Sequence, residues 1–78
     1  MHDTPPPLVT IRTDQGPLSL VQGSTLADAL DILLAAQGKP ADSVATAVNG
    51  QFVPRNARAT HLLHDGDAVL CFSPITGG

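Results

Sequence analysis

The sequence predicts a small α+β domain, a mixed sheet of four or five strands with one helix packed on one face. Three observations lead to this prediction. Short β-branched runs bounded by turn residues lie on both sides of one stretch with helical periodicity, at about residues 25–37. No second stretch has that periodicity. The first and last strands are apolar on both faces, so we expect them side by side at the centre of the sheet.

The first predicted hairpin follows a proline-rich leader. Residues 1–7 end in three prolines, which lack an amide N–H and disfavour helix, so we expect a disordered leader. Residues 8–13 alternate and are β-branched, and residues 18–21 return as a second strand. The intervening Asp14-Gln15-Gly16-Pro17 is typical of a turn.

The predicted helix has matching start and stop signals. Thr25 and Asp28 form a capping-box pattern, which also places a carboxylate at the positive end of the helix. Gly38 suits a left-handed C-cap, and Pro40 prevents continuation. The apolar stripe at helical spacing consists of Leu26, Ala29, Leu30 and Leu33.

The second half of the chain predicts another hairpin and a final strand. Strands are expected at residues 44–48 and 51–53, joined by Asn49-Gly50, a strong hairpin signal, and at residues 68–72. A turn or a single helical turn is expected at residues 56–60, and a short edge segment at 61–63. This ββαββ order is the β-grasp, the ubiquitin-like architecture. A ferredoxin-like split βαβ is the alternative, but it needs a second helix.

Composition narrows the classes of function. A net charge of -3 and 3% aromatic residues argue against a nucleic-acid surface. No apolar run is long enough to cross a bilayer. The single cysteine, Cys71, cannot form an intrachain disulfide, which favours a reducing, cytoplasmic compartment. A chain of 78 residues leaves little room for a catalytic cleft, so we expect a protein on which other proteins act, not an enzyme.

The last predicted strand is apolar on both faces. If the helix covers Val69 and Cys71, the alternate side chains point out of the open face of the sheet. An apolar patch of this kind often marks a contact surface. The alternative is that these side chains belong to one irregular core. The predicted open-face residues are Ala45, Ala47, Leu70 and Phe72.

The sequence ends in a tail with two glycines, which we take as residues 74–78 after a domain of residues 8–73. The stretch from Ser73 onward spans roughly 20 Å when extended, so a partner that holds the patch can receive the end. Glycine has no Cβ, and a thin chain therefore fits a narrow channel. We expect the terminal carboxylate to be the reactive group, activated by adenylation. The predicted tail residues are Pro74, Ile75, Thr76, Gly77 and Gly78.

Three segments carry a family resemblance: VNGQFVPR at residues 48–55, HDGDAVLCF at 64–72 and the final ITGG. Together they resemble the ThiS family of sulfur carriers, over about residues 8–78. The resemblance implies that a ThiF-type, E1-like adenylyltransferase uses ATP and magnesium to adenylate Gly78, with Gly77 beside it. It implies that a cysteine desulfurase supplies sulfur, and that the thiocarboxylate feeds a ThiG-type thiazole synthase. We expect the carrier itself to bind no cofactor.

The sequence also departs from the family pattern. Residues 56–59 lack the aromatic residue that often follows Val-Pro-Arg in ThiS proteins. The Pro-Ile-Thr-Gly-Gly ending is similar to that of MoaD, the carrier for molybdopterin. A MoaD-like carrier and a ubiquitin-like protein modifier therefore stay open as alternatives.

The remaining candidate side chains are more simply explained by structural roles than by a role in the chemistry. Cys71 falls on the core face, and Phe52 is expected to be buried beneath the sheet edge. Arg55 either fixes a neighbouring backbone carbonyl or pairs with an acidic group on a partner. We expect a solvated turn and no metal site from the four candidate ligands, His61, His64, Asp65 and Asp67.

Overall fold

The computed structural model describes residues 6–38, 40 and 43–72. The elements follow the order β1 (Leu8–Thr13), β2 (Gly16–Val21), α1 (Leu26–Gln37), β3 (Ala45–Val48), β4 (Gln51–Val53), a 3₁₀ helix (Arg55–Thr60) and β5 (Val69–Phe72). The predicted arrangement, a first hairpin, one helix and then a second group of strands, is confirmed, and the five strands follow the order ββαβββ. The predicted boundaries of the leader, domain and tail stay predictions, since residues 1–5 and 73–78 lie outside the described part of the chain.

The five strands form two sheets instead of the single sheet expected from the sequence. β1 pairs with β2, and β3 lies between β4 and β5; all of these pairings are antiparallel. One isolated parallel bridge, Arg12 to Ala68, connects the two sheets. There the backbone N–H of Arg12 donates to the carbonyl of Asp67 at 2.8 Å. The first and last strands are therefore neighbours, as predicted, but only at this bridge.

The first hairpin is tighter than the sequence predicted. Thr13 pairs with Gly16, so β2 begins two positions earlier than expected and the turn consists of Asp14 and Gln15. Gly16 takes a φ of 104°, a left-handed conformation that glycine adopts without strain. Pro17 is tolerated inside β2 because β2 is an edge strand, where a missing N–H disrupts no second ladder.

Helix α1 has the termini that its sequence predicts. The Thr25 hydroxyl accepts from the Asp28 N–H at 3.3 Å, and the Asp28 carboxylate accepts from the Thr25 N–H at 2.9 Å. Gly38 ends the helix with φ 68° and ψ 24°. Gln37 is exposed, and the buried side chains of the helix are Leu26, Ala29, Leu30, Leu33 and Leu34.

The hydrophobic core lies between α1 and the inner faces of the two sheets. Every strand contributes buried side chains, and Leu63, after the 3₁₀ helix, closes the cluster. Of the helices in the described ranges, none has the length and hydropathy to cross a membrane. The strand members of the core are Val9, Ile11, Leu20, Val48, Val53 and Val69.

Candidate functional site

The alternation of β3 and β5 defines the two faces of the larger sheet. In β3, Thr46 and Val48 are buried, whereas the two alanines between and before them are only partly covered. In β5, Val69 is 3% exposed and Leu70 is 50% exposed. The predicted open-face placement of Ala45, Ala47, Leu70 and Phe72 is confirmed. Their role in partner binding stays a prediction.

Phe52 belongs to this open face, and the expectation of a buried Phe52 is wrong. Its side chain is 65% exposed, because Val53 is the β4 residue that points into the core and the alternation turns its neighbour outward. Ala47 pairs with Phe52 on one side and with Leu70 on the other, so the three lie in one cross-strand row. We call the resulting surface the open-face patch. It consists of Ala45, Ala47, Phe52, Leu70 and Phe72.

A cleft of about 430 Å³ opens beside the open-face patch. Past the bridge at Arg12 and Ala68, β1 turns into β2 while β5 continues along β3, so the two sheets diverge. We call this opening the sheet-split cleft. It is lined by Arg12, Thr13, Asp14, Ala47, Gly50, Ala68, Val69 and Leu70.

The turn before β5 holds the two sheets together. Asp65 accepts from the backbone N–H of Thr10 at 2.7 Å. Asp67 accepts from the Asn49 side-chain amide at 3.0 Å and from the His64 N–H at 2.8 Å. The aspartates therefore bind backbone and turn groups, as predicted. Within residues 6–38, 40 and 43–72, no cluster of three or more His, Cys, Asp or Glu side chains could hold a metal ion.

The Asp67 carboxyl group titrates below its ordinary range. Burial by itself raises its pKa, but the hydrogen bonds from Asn49 and from the His64 backbone, with the nearby His64 and His61, together lower the pKa below 3.8. The lowered pKa keeps Asp67 ionised, so both of its carboxylate oxygens can accept the hydrogen bonds from Asn49 and His64.

Cys71 lies on the core side of β5, as predicted. Its side chain is partly buried and packs against the core cluster. Burial raises the pKa of the thiol above 9.0; Asp14 raises it further, and Arg58 opposes the shift. Since the thiolate is the nucleophile, this thiol is poorly reactive at neutral pH.

Arg55 lies apart from the open-face patch. It is exposed at the start of the 3₁₀ helix and lines a cavity of about 190 Å³ with Ala27 and Asp31 of α1, on the helix-bearing side. The structure therefore does not bring Arg55 together with the patch residues with which it was grouped. Partner contact by Arg55 stays a prediction for a separate surface.

The predicted tail residues Pro74, Ile75, Thr76, Gly77 and Gly78 lie outside the described residues. Their proposed roles stay predictions. β5 ends at Phe72, a member of the open-face patch, and a single residue, Ser73, separates Phe72 from the tail in sequence.

One α-helix packed on five strands, in the order ββαβββ, defines the chain as a ubiquitin-like β-grasp domain. Its structure is similar to a ubiquitin from Caldiarchaeum subterraneum, with a TM-score of 0.58, 20% identity, and coverage of 91% of this chain and 96% of that one. The chain belongs to the ThiS family, whose family model matches residues 11–78.

Two members of that family show the similarity in detail. The crystal structure of the thiamine biosynthesis protein ThiS from Geobacter metallireducens is similar with a TM-score of 0.72 and 25% identity, covering 90% of this chain and all of that one. The sulfur carrier protein ThiS of Escherichia coli K12 is 50% identical over 34 residues, which are 44% of this chain. That match spans about half, 52%, of the Escherichia coli protein.

Proposed function

We propose that this chain is a sulfur carrier whose Gly78 carboxylate becomes a thiocarboxylate and donates sulfur for thiazole formation in thiamine biosynthesis. The observation that carries the proposal is the ThiS family match, which extends to Gly78 and so includes both terminal glycines. The name of the Escherichia coli relative, a sulfur carrier protein, supports the same chemistry. The proposal requires Gly78 to be the last residue of the working protein.

The proposed chemistry begins with activation, because a carboxylate is a poor electrophile. A carboxylate oxygen of Gly78 attacks the α-phosphorus of ATP, and pyrophosphate leaves. A persulfide sulfur then attacks the acyl carbon, and AMP leaves with the C–O bond electrons. A second thiol cleaves the resulting S–S bond, becomes part of a disulfide, and releases the thiocarboxylate. A ThiF-type adenylyltransferase with magnesium and ATP, and a cysteine desulfurase, are the proposed enzymes.

We propose that this chain contributes binding and presentation to these steps, and no catalytic group. The open-face patch is the proposed docking surface, since contiguous apolar groups on a small domain commonly mark an interface. The tail begins two positions after Phe72 of that patch in sequence, so a partner seated on the patch lies near the point from which the tail starts. After sulfur loading, a ThiG-type thiazole synthase is the proposed acceptor, in the cytoplasm.

The decisive experiment follows the C-terminal peptide by mass spectrometry. The chain is incubated with a ThiF-type adenylyltransferase, Mg-ATP and a sulfur donor, then digested. We expect one oxygen of the terminal peptide to be replaced by sulfur; oxidation of Met1 or Cys71 gives a similar mass increment elsewhere, so the peptide itself must be read. The controls are a chain lacking Gly78 and a chain extended beyond Gly78, both of which stay unloaded.

Three outcomes would redirect the proposal. An unchanged terminal peptide, with enzymes that load another ThiS protein in parallel, would refute sulfur carriage. An isopeptide bond from Gly78 to a lysine would assign the chain to the protein modifiers. Sulfur transfer to a molybdopterin precursor, with none to a thiazole synthase, would assign it to the MoaD-like carriers.

A further inference from the structure

The sheet-split cleft contains Arg12, the one described arginine whose side chain has no hydrogen-bond or ion-pair partner among the described residues. Arg12 is exposed, and its guanidinium makes no hydrogen bond or ion pair with any residue that the structure describes. Arg58 is buried and hydrogen-bonded, and Arg55, which lies on the helix-bearing side, has an interaction of its own. The open side of the sheets therefore has a single available cation among the described residues, in a chain of net charge -3.

The cleft is continuous with the open-face patch. Ala47 and Leu70 belong to both, so anything that covers the patch also reaches the cleft and Arg12. The volume of about 430 Å³ lies within the usual range of ligand pockets, about 300–1,000 Å³. Its lining combines apolar residues of β3 and β5 with two charged residues, Arg12 and Asp14, at the β1 side.

We propose that the sheet-split cleft receives a loop of the adenylylating partner that places an apolar side chain against Ala47 and Leu70 and a carboxylate against Arg12. The inference rests on the proposed function, and it adds a specificity residue in β1 that the sequence pattern did not single out. Charge complementarity selects a carboxylate, because an unpaired guanidinium binds that group with two parallel hydrogen bonds. Continuity with the patch selects a protein partner.

The proposal also predicts that removing the charge of Asp14 has the opposite effect on association to removing the charge of Arg12. Asp14 lines the same cleft, and the structure gives its side chain no ion pair with Arg12. Its charge therefore repels an incoming carboxylate while Arg12 attracts it. Removing the two charges one at a time should change the association rate in opposite directions, which a general loss of folding would not do.

The test measures association with a purified ThiF-type adenylyltransferase by stopped-flow fluorescence, at about 50 mM and about 500 mM salt. We expect Arg12→Gln to slow association about 3- to 10-fold at low salt and to lose most of the salt dependence, because a charge at the edge of an interface acts mainly on the association rate. Arg12→Lys should recover much of the rate, and Asp14→Asn should raise it.

A matched control separates the local charge from the net charge. Gln37→Glu, at an exposed position at the end of helix α1, lowers the net charge by one, as Arg12→Gln does, without a change of size. We expect its association rate to stay close to that of the unaltered chain. The proposal is overturned if Arg12→Gln and Gln37→Glu slow association equally. It is also overturned if the association rate of Arg12→Gln depends on salt as strongly as that of the unaltered chain.

Two further measurements remove the remaining ambiguity. Sedimentation of the chain alone, at both salt concentrations, tests whether a second copy of the chain occupies the sheet-split cleft. If the unaltered chain forms a dimer and Arg12→Gln dissociates it, the proposal is overturned. Thiocarboxylate formation by the unaltered chain is read in parallel. If the unaltered chain is loaded and the Arg12 variants associate normally, this inference fails alone. If the unaltered chain is never loaded, the proposed function fails.

Discussion

Arg58 and Val44 are joined by a hydrogen bond that ties the 3₁₀ helix to the start of β3. Nη2 of the arginine donates to the carbonyl oxygen of Val44 at 2.8 Å. Its Nε donates to the Thr46 hydroxyl at 3.2 Å, and that hydroxyl donates to the carbonyl of Val53 at 3.0 Å. Arg58 is 6% exposed and Thr46 fully buried, so this chain of bonds is protected from water.

Arg58→Ala should destabilise the domain by about 2–3 kcal/mol, because it removes charge-assisted bonds and leaves the Val44 carbonyl without its buried donor. The measurement is urea unfolding at neutral pH. Arg58→Lys should recover only part of the loss, since an ammonium cannot reproduce the guanidinium fork. Arg12→Ala is the matched control and should cost less than about 0.5 kcal/mol. Equal losses at the two arginines would contradict the structural role of Arg58.

Local signals were sufficient to predict the elements of this fold. The helix could be predicted because Thr25, Asp28 and Gly38 act within one turn of its ends. The Asn49-Gly50 hairpin was predicted for the same reason, as both residues have the positive φ values, 52° and 82°, that such a turn requires.

Features that depend on distant contacts were not predicted. Phe52 follows the alternation set by Val53, but its hydrophobicity suggested burial. The role of Arg58 depends on Val44, 14 positions away, and the preceding sequence gives no local signal for that contact. The division into two sheets depends on where β1 leaves β5. These outcomes follow from tertiary packing, which periodicity does not report.

Asp67 should make stability sensitive to acid. Because the pKa of its carboxyl group in the folded chain lies below 3.8, folding favours the carboxylate. The stabilisation is fully present above the ordinary pKa and is lost as the pH falls through the folded value. Asp67→Asn should therefore lower the urea midpoint near neutral pH and flatten its decline between about pH 5 and about pH 2.

Asp31→Asn is the control for that acid titration. Asp31 is exposed on α1, and its carboxylate makes no hydrogen bond to a described residue. We expect this variant to keep the pH slope of the unaltered chain. If the urea midpoint of Asp67→Asn falls with decreasing pH as steeply as that of Asp31→Asn, Asp67 is not the source of the acid sensitivity.

The N-cap of α1 should contribute measurably to stability. Thr25→Ala removes the oxygen that accepts from the Asp28 N–H, and we expect a loss of about 1 kcal/mol in urea unfolding. Thr25→Ser keeps that oxygen and should fall within a few tenths of a kcal/mol of the unaltered chain. If the serine and alanine variants have the same free energy of unfolding in urea, the capping hydrogen bond does not contribute to stability.

Two equally exposed side chains on opposite faces test the open-face patch. Leu70 is 50% exposed on the sheet, and Ile32 is 49% exposed on α1. Replacing either with alanine should cost only about 1 kcal/mol of stability, because each is half covered. If the patch docks the ThiF-type adenylyltransferase, Leu70→Ala should weaken binding about 10-fold or more by calorimetry, whereas Ile32→Ala should not. Comparable affinities for the two variants would place the interface elsewhere.

Cys71 should react slowly although it lies only seven positions before Gly78 in the sequence. Burial first, and Asp14 second, raise the pKa of its thiol above 9.0, so the thiolate is scarce near neutral pH. Iodoacetamide should therefore modify the folded chain more slowly than the urea-unfolded chain at about pH 8. Asp14→Asn should shift the rate profile to lower pH, whereas Asp31→Asn should leave it in place.

The low reactivity of Cys71 has a consequence for the proposed carrier chemistry. A thiolate in the same chain could attack the activated Gly78 carbonyl and compete with the sulfur donor. A thiol that stays protonated and faces the core avoids this reaction, so Cys71→Ala should leave thiocarboxylate formation unchanged in the terminal-peptide assay. Loss of loading in Cys71→Ala, with urea unfolding close to that of the unaltered chain, would instead make Cys71 a participant in sulfur transfer.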